Sequence, residues 1–249
     1  MNQLYILLGL ATIGSLAGLI GGLLFFVKRD WAKHLCCWAV PFAAGVLISV
    51  SLLHLLPEAR QEMGEGAFLV VLLAFVGAFI FEEFFAHLHH HEHKGRTALK
   101  TAIPLVIVGD TIHNFIDGVA IASAFLVEPS FGLVVALATF LHETPHEIGD
   151  FGVLLSAGWS KTRALLANFL SALAVFPGAL LVYFFLGDAH DKIGGLLAIS
   201  AGIFLYLGAS DFLPEIKEES NKKKARKELM LFLLGVMIIY LLTFISPTH

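Results

Sequence analysis

Nine side chains in two otherwise apolar stretches carry the chemistry of this chain. Asp110, His113, Asn114 and Asp117 stand in the first stretch, and His142, Glu143, His146, Glu147 and Asp150 in the second. If both stretches are helical, at about 100° per residue, the first set falls within roughly a 100° arc and the second within roughly 140°. Each set therefore occupies one face. Imidazole and carboxylate groups at i, i+4 spacing lie on adjacent turns of a face. Such a mixed nitrogen and oxygen set suits Zn²⁺, Fe²⁺, Mn²⁺ or Cd²⁺-like ions better than Ca²⁺ or Mg²⁺, which take oxygen alone. The set contains no Cys or Met, which argues against Cu(I).

The elements that hold these residues belong in a membrane. The chain has 249 residues, of which only 14% are charged, against about 25% in soluble domains, and its mean hydropathy is +0.82. A transmembrane helix needs about 20 mostly apolar residues. Eight segments qualify: 4–27, 35–56, 67–86, 101–127, 131–158, 164–186, 193–213 and 229–245. The expected fold is an all-α integral membrane protein, one domain over 1–249, with a His-rich cytoplasmic loop at 87–100. The first span lacks a basic leading region and a small-residue cleavage site, and is expected to be a retained helix rather than a removed signal peptide.

With span 4 starting near Thr101, His113 lies about 18 Å along the helix, close to the bilayer midplane. His142 to His146 reach a similar depth from the other direction. Ionisable groups at that depth cost several kcal/mol unless paired, neutralised or hydrated, and no Lys or Arg occurs from Thr101 to Ser160. A bound metal ion, or protons, must supply the missing charge. Pro145 cannot donate to the carbonyl of Leu141, so span 5 is predicted to kink there. A freed carbonyl is tolerable where the backbone lines a cavity.

Basic residues set the orientation. With both termini outside, all but Arg60 and Lys192 of the 16 Lys and Arg fall in cytoplasmic loops, as the positive-inside rule requires. Cys36 and Cys37 then lie near the cytoplasmic face, where thiols stay reduced, and are expected to be structural. Spans 1, 6 and 8 read as apolar packing helices, with Gly14, Gly18, Gly21 and Gly22 permitting close approach. Span 2 ends in His54-Leu-Leu-Pro57-Glu58 and span 7 in Asp211-Phe-Leu-Pro214-Glu215. The two ends lie on opposite faces, as an inverted repeat of spans 1–3 and 6–8 requires. His54 and Glu58 are candidates for receiving an ion, and Asp211 and Glu215 for releasing it.

His113-Asn114-Phe-Ile-Asp117-Gly118 resembles the fourth-helix signature H-N-x-x-D-G of the ZIP (Zrt/Irt-like) metal transporters, and His142-Glu143-Thr-Pro145-His146-Glu147-Ile-Gly149-Asp150 resembles their fifth-helix signature H-E-x-P-H-E-x-G-D. Eight spans, outward termini and a His-rich loop between spans 3 and 4 extend the resemblance over the chain. It implies an importer in the plasma membrane that moves divalent metal, zinc before iron, manganese or cadmium, into the cytoplasm through a two-metal centre. The family's first metal position maps onto His113, Asp117, His142 and His146, and its second onto Asn114, Asp117, Glu143 and His146. Asp117 and His146 stand where many relatives carry Glu, a pattern similar to the histidine-rich, zinc-type branch in a minimal, prokaryotic-like form. The resemblance adds a homodimer as a partner to consider beside the lipid bilayer. No nucleic-acid partner is expected.

One rival reading competes. His142-Glu143-Thr-Pro145-His146 also satisfies H-E-x-x-H, in which two His hold zinc and the Glu activates water. An intramembrane metalloprotease is the alternative, with Asp117 as third ligand. The second histidine and acid motif, on span 4, exceeds what a single catalytic zinc needs, so the expectation is a transporter and not an enzyme.

Overall fold

Apolar runs interrupted by Gly, Pro and short charged links form helices and, among the described residues, no strands. The computed structural model describes residues 2–20, 23, 29–89, 96–186, 190–213 and 221–244. Helix α1 covers Asn2–Leu16, with Thr12–Leu16 widened to π-helix. Helix α2 runs over Arg29–Val50, a π stretch Ser51–Leu55 and Leu56–Met63. Helices α3, α4 and α5 are Gly66–His89, Arg96–Val127 and Pro129–Ser156. Helix α6 is Lys161–Phe185, with a turn at Leu173 and Ala174. Helix α7 joins His190–Tyr206 to a π stretch Leu207–Phe212, and α8 is Lys222–Leu242.

Among the described residues, four stretches are long and apolar enough to cross a membrane: Trp38–Met63, Gly66–Phe84, Lys161–Phe185 and Lys192–Ser210. Helices α4 and α5, with 32 and 28 residues, have the length, about 48 and 42 Å at 1.5 Å per residue, but their acidic side chains set them apart. The exterior is apolar, with Leu69, Leu73 and Phe84 of α3, Phe184 and Phe185 of α6, and Met230 and Leu241 of α8 all exposed. So extensive an apolar surface suits hydrocarbon rather than water. The molecule is a helical membrane protein.

Several boundaries differ from the hydropathy reading. Helix α2 does not stop at Pro57 but continues to Met63; the π turn just before the proline offers the local widening that an imino acid inside a helix needs. Helix α8 begins at Lys222, seven residues earlier than the apolar run, because the Asn221 side chain accepts from the Lys223 and Lys224 amides at 3.0 and 3.4 Å. Helices extend into the 87–100 segment from both sides, to His89 and from Arg96. The core of the His-rich tract, the side chains of Cys36, Cys37 and Asp211, and Glu215 itself lie outside the described residues.

Helix packing follows a repeated scheme. Helix α2 packs on α8 as α7 does on α3, α4 on α6 as α5 does on α1, and α2 on α5 as α7 does on α4. These pairings exchange when α1, α2, α3 and α4 are swapped with α6, α7, α8 and α5. The π stretches of α2 and α7 each end two positions before a proline, Pro57 and Pro214. Glycine permits the closest crossings. A Cβ on Gly118 would lie 2.0 Å from the Val175 carbonyl oxygen, and one on Gly178 2.1 Å from that of Phe115, so α4 and α6 meet backbone to backbone. Gly45 and Gly235 do the same for α2 and α8, at 2.2 and 2.4 Å from the Phe232 and Phe42 oxygens.

Candidate metal centre

A single residue joins α4 to α5. Glu128 is extended, at φ −153 and ψ 133, because the proline after it disfavours helical geometry there. Pro129 then opens α5, where its missing N–H costs nothing, and Ser130 Oγ donates to Glu128 Oε1 at 2.5 Å. The resulting hairpin is antiparallel. Stepping back one turn along α4, from His113 to Asp110, moves the facing residue forward one turn along α5, from Glu143 to His146.

His113, Asp117, His142 and Glu143 converge at the middle of this hairpin. His113 Nε2 lies 2.9 Å from Glu143 Oε1, 3.2 Å from His142 Nε2 and 3.8 Å from Asp117 Oδ2. His142 Nε2 lies 3.5 Å from Asp117 Oδ2 and 3.7 Å from Glu143 Oε1. Zinc bonds of about 2.0–2.1 Å imply donor separations of roughly 3.3 Å around a tetrahedron, so these distances bracket what one ion would require. Asp117, His142 and Glu143 are fully buried and His113 is 7% exposed. Neither Asp117 carboxylate oxygen accepts a hydrogen bond. Such an arrangement in a protein interior is costly without a cation.

Neighbouring groups aim the ligands. His142 Nδ1 is 3.0 Å from the Ala138 carbonyl oxygen; donation there fixes the tautomer and leaves the Nε2 lone pair facing the cluster. The Phe204 ring of α7 stands edge-on to His142 with centroids 5.4 Å apart. Asn114 donates through Nδ2 to Asp110 Oδ1 at 2.9 Å and to the Asp110 carbonyl at 3.1 Å. Its Oδ1 accepts from the Ser15 hydroxyl of α1, which also lies 3.2 Å from the Ala172 carbonyl of α6. Asn168 of α6 donates to Glu147 Oε2 at 2.6 Å. Neither Ser15 nor Asn168 stood out in spans read as packing helices. The available signal was one amide or hydroxyl side chain at a depth otherwise filled with Leu and Ala.

The expected ligands are brought together with one regrouping. Glu143, not His146, completes the closest four-donor cluster. His146 is adjacent, its ring 5.0 Å from that of His113, and its Nδ1 lies 3.8 Å from both Asp110 Oδ1 and Asp150 Oδ2. Asp110, Glu143 and Glu147 form a further group of converging oxygens. Helix α5 continues through Pro145 as helix, and the Thr144 hydroxyl bonds the Phe140 carbonyl at 2.9 Å in the turn before it. Away from the centre, His54 is wholly buried, with Nε2 3.3 Å from the Ile239 carbonyl and its ring stacked 6.4 Å from Phe131. Glu58 is half-buried one turn further along α2.

The chain is similar in sequence to known proteins. A family profile described as "ZIP Zinc transporter" matches residues 3–104 and 96–243. The chain is 40% identical over 130 residues to "Zinc transporter ZIP10" of Danio rerio, covering 52% of this chain and 15% of that protein. It is 44% identical over 110 residues to "Zinc transporter ZIP4" of Homo sapiens, covering 44% and 17%. To "Zinc transporter zipt-7.2" of Caenorhabditis elegans it is 33% identical over 150 residues, covering 58% and 32%. The chain thus spans between 15% and 32% of the length of these relatives.

Proposed function

This chain belongs to the ZIP zinc transporter family, and on that premise we propose that it carries divalent metal, zinc foremost, across a membrane into the cytoplasm through the centre between α4 and α5. Members of the family are transporters, not enzymes, so the peptidase reading of His142-Glu143-Thr-Pro145-His146 falls away. The relatives' names support zinc as the cargo. The mixed donor set is also compatible with Fe²⁺, Mn²⁺ and Cd²⁺.

One observation carries the proposal. Two imidazole nitrogens face each other at 3.2 Å with two carboxylates beside them, and the 101–160 segment offers no Lys or Arg to neutralise those carboxylates. His113, Asp117, His142 and Glu143 hold the ion, with Asn114, His146 and Glu147 around it. All eight helices cross the plasma membrane, both termini face outward, and α1–α3 and α6–α8 form an inverted repeat about the α4–α5 hairpin. His54 and Glu58 receive the ion and Asp211 and Glu215 help release it; the buried Nδ1 of His54, which has no hydrogen-bond partner, is the atom available for such a role. The proposed assembly is a homodimer in the bilayer, to be read from cross-linking in native membranes.

Uptake of a panel of metals into proteoliposomes, with and without a pH gradient, tests the reading. His113→Ala, Asp117→Ala, His142→Ala and Glu143→Ala should each reduce zinc flux by at least about tenfold, since even indirect supports of a metal site are worth 10–100-fold. Wild-type flux in all four variants would remove transport from this centre.

A further inference from the structure

The hairpin holds more cation ligands than one ion can use, and those left over are organised. His146, Asp110 and Asp150 converge one turn from the main cluster, toward the start of α4 and the end of α5, with donor atoms within 4.8 Å of one another. Exposure rises along this direction. The His142 and Glu143 side chains are 0% exposed and that of His113 is 8%, whereas those of His146 and Asp150 are 24% and 17% exposed. Asp110, at 2%, is the inner member, held in place by Asn114 Nδ2 at 2.9 Å.

A second observation points to a ligand at this place. Glu147 is fully buried. Asn168 takes its Oε2 at 2.6 Å and Oε1 has no hydrogen-bond partner, while the carboxylate as a whole groups with those of Asp110 and Glu143. A buried carboxylate with one oxygen fixed by an amide and the other unpartnered, grouped with further carboxylates, is the pattern expected around a cation.

We propose that Asp110, His146 and Asp150, with the Glu147 carboxylate grouped with Asp110, form a second and weaker divalent-cation station between the buried cluster and the open end of the hairpin. The station uses Asp110 and Asp150, which lie outside the paired metal positions implied by the family resemblance, and it engages Asn114 as an orienting group rather than a ligand. Donor separations of 3.8 Å and partial exposure leave room for water in the shell, so the ion is held less tightly than in the main cluster. A step of three residues along α4 is about 4.5 Å, so an ion leaving His113 meets Asp110 next without crossing unliganded space.

The inference rests on the reading that the main cluster binds divalent metal, and the experiment separates the two. Zn²⁺ and Cd²⁺ binding to the purified full chain in detergent would be counted by equilibrium dialysis over a range of free metal. Wild type should bind two ions per chain, at affinities differing by at least tenfold. Asp150→Asn should bind one, with the tighter affinity within about threefold of wild type, and Asp150→Glu should restore the second. If Asp150→Asn does not elute as a single folded species, Asp150→Ser serves in its place. Two ions in the Asp150 variants, or a single ion in wild type, would overturn the second station while leaving the main cluster standing. Absence of any bound ion in wild type would overturn both.

Discussion

Asp117→Asn separates metal binding from stability, because its two effects have opposite signs. The wild-type carboxylate is 0% exposed and neither oxygen accepts a hydrogen bond. An unsatisfied buried polar group costs about 1–3 kcal/mol, and more when charged. Asparagine keeps the shape, removes the charge and brings an amide that can donate toward Glu143 or the facing imidazole. The metal-free variant should therefore be more stable by about 1–3 kcal/mol, raising its melting temperature by roughly 2–12 °C at about 2–4 °C per kcal/mol. Zinc acts in the other direction. At a free concentration 100 times the wild-type Kd, it stabilises wild type by about 2.7 kcal/mol. If loss of the carboxylate weakens binding about 100-fold, the same zinc stabilises the variant by only about 0.4 kcal/mol. Intrinsic tryptophan melting curves of the detergent-purified protein, with chelator and with buffered zinc, would record both. A variant less stable than wild type without metal, yet showing the full zinc-induced rise, would refute the argument.

Three further outcomes follow from the same geometry. Gly118→Ala and Gly178→Ala each force α4 away from α6, at an overpacking cost of about 1–3 kcal/mol; the double variant should cost less than the two singles added, because one separation accommodates both methyl groups, and full additivity in thermal melts would count against a shared crossing. Zinc affinity should weaken as pH falls, since protons and metal compete for the same imidazole and carboxylate donor atoms of the cluster. Calorimetry in buffers of different ionisation enthalpy should count about two protons released per ion, and a count near zero would contradict it. His54→Ala should raise the KM for zinc more than it lowers the maximal rate, and the reverse would place His54 elsewhere in the cycle.

Much of this centre was legible in the sequence because helical periodicity fixes which residues share a face. That logic puts nine side chains, with His113, Asp117, His142, Glu143 and His146 among them, on two faces at matching depth. The sequence reading made His146 the fourth ligand, whereas Glu143 stands nearest; the outcome depends on the crossing of α4 and α5, which the one-residue link at Glu128 and the close approach of Gly132 to the Phe125 backbone constrain. Ser15 and Asn168 were missed because a hydropathy window averages one polar side chain into its apolar neighbours. The continuation of α2 past Pro57 was missed because a proline normally ends a helix, and nothing in residues 51–55 announces the wider turn that accommodates it. The start of α8 was misplaced for a different reason: its first turns are solvated and basic, so capping rather than hydropathy marks the boundary.

The Glu128 link limits the kind of motion available to this protein. One extended residue spans at most about 3.6 Å, whereas slipping one helix past another by a single turn requires 5.4 Å. Helices α4 and α5 therefore cannot ratchet along each other, and their donor atoms travel as one block. If the centre carries the ion as proposed, a change in which side of the bilayer reaches it comes from movement between this block and the helices around it, not from within the pair.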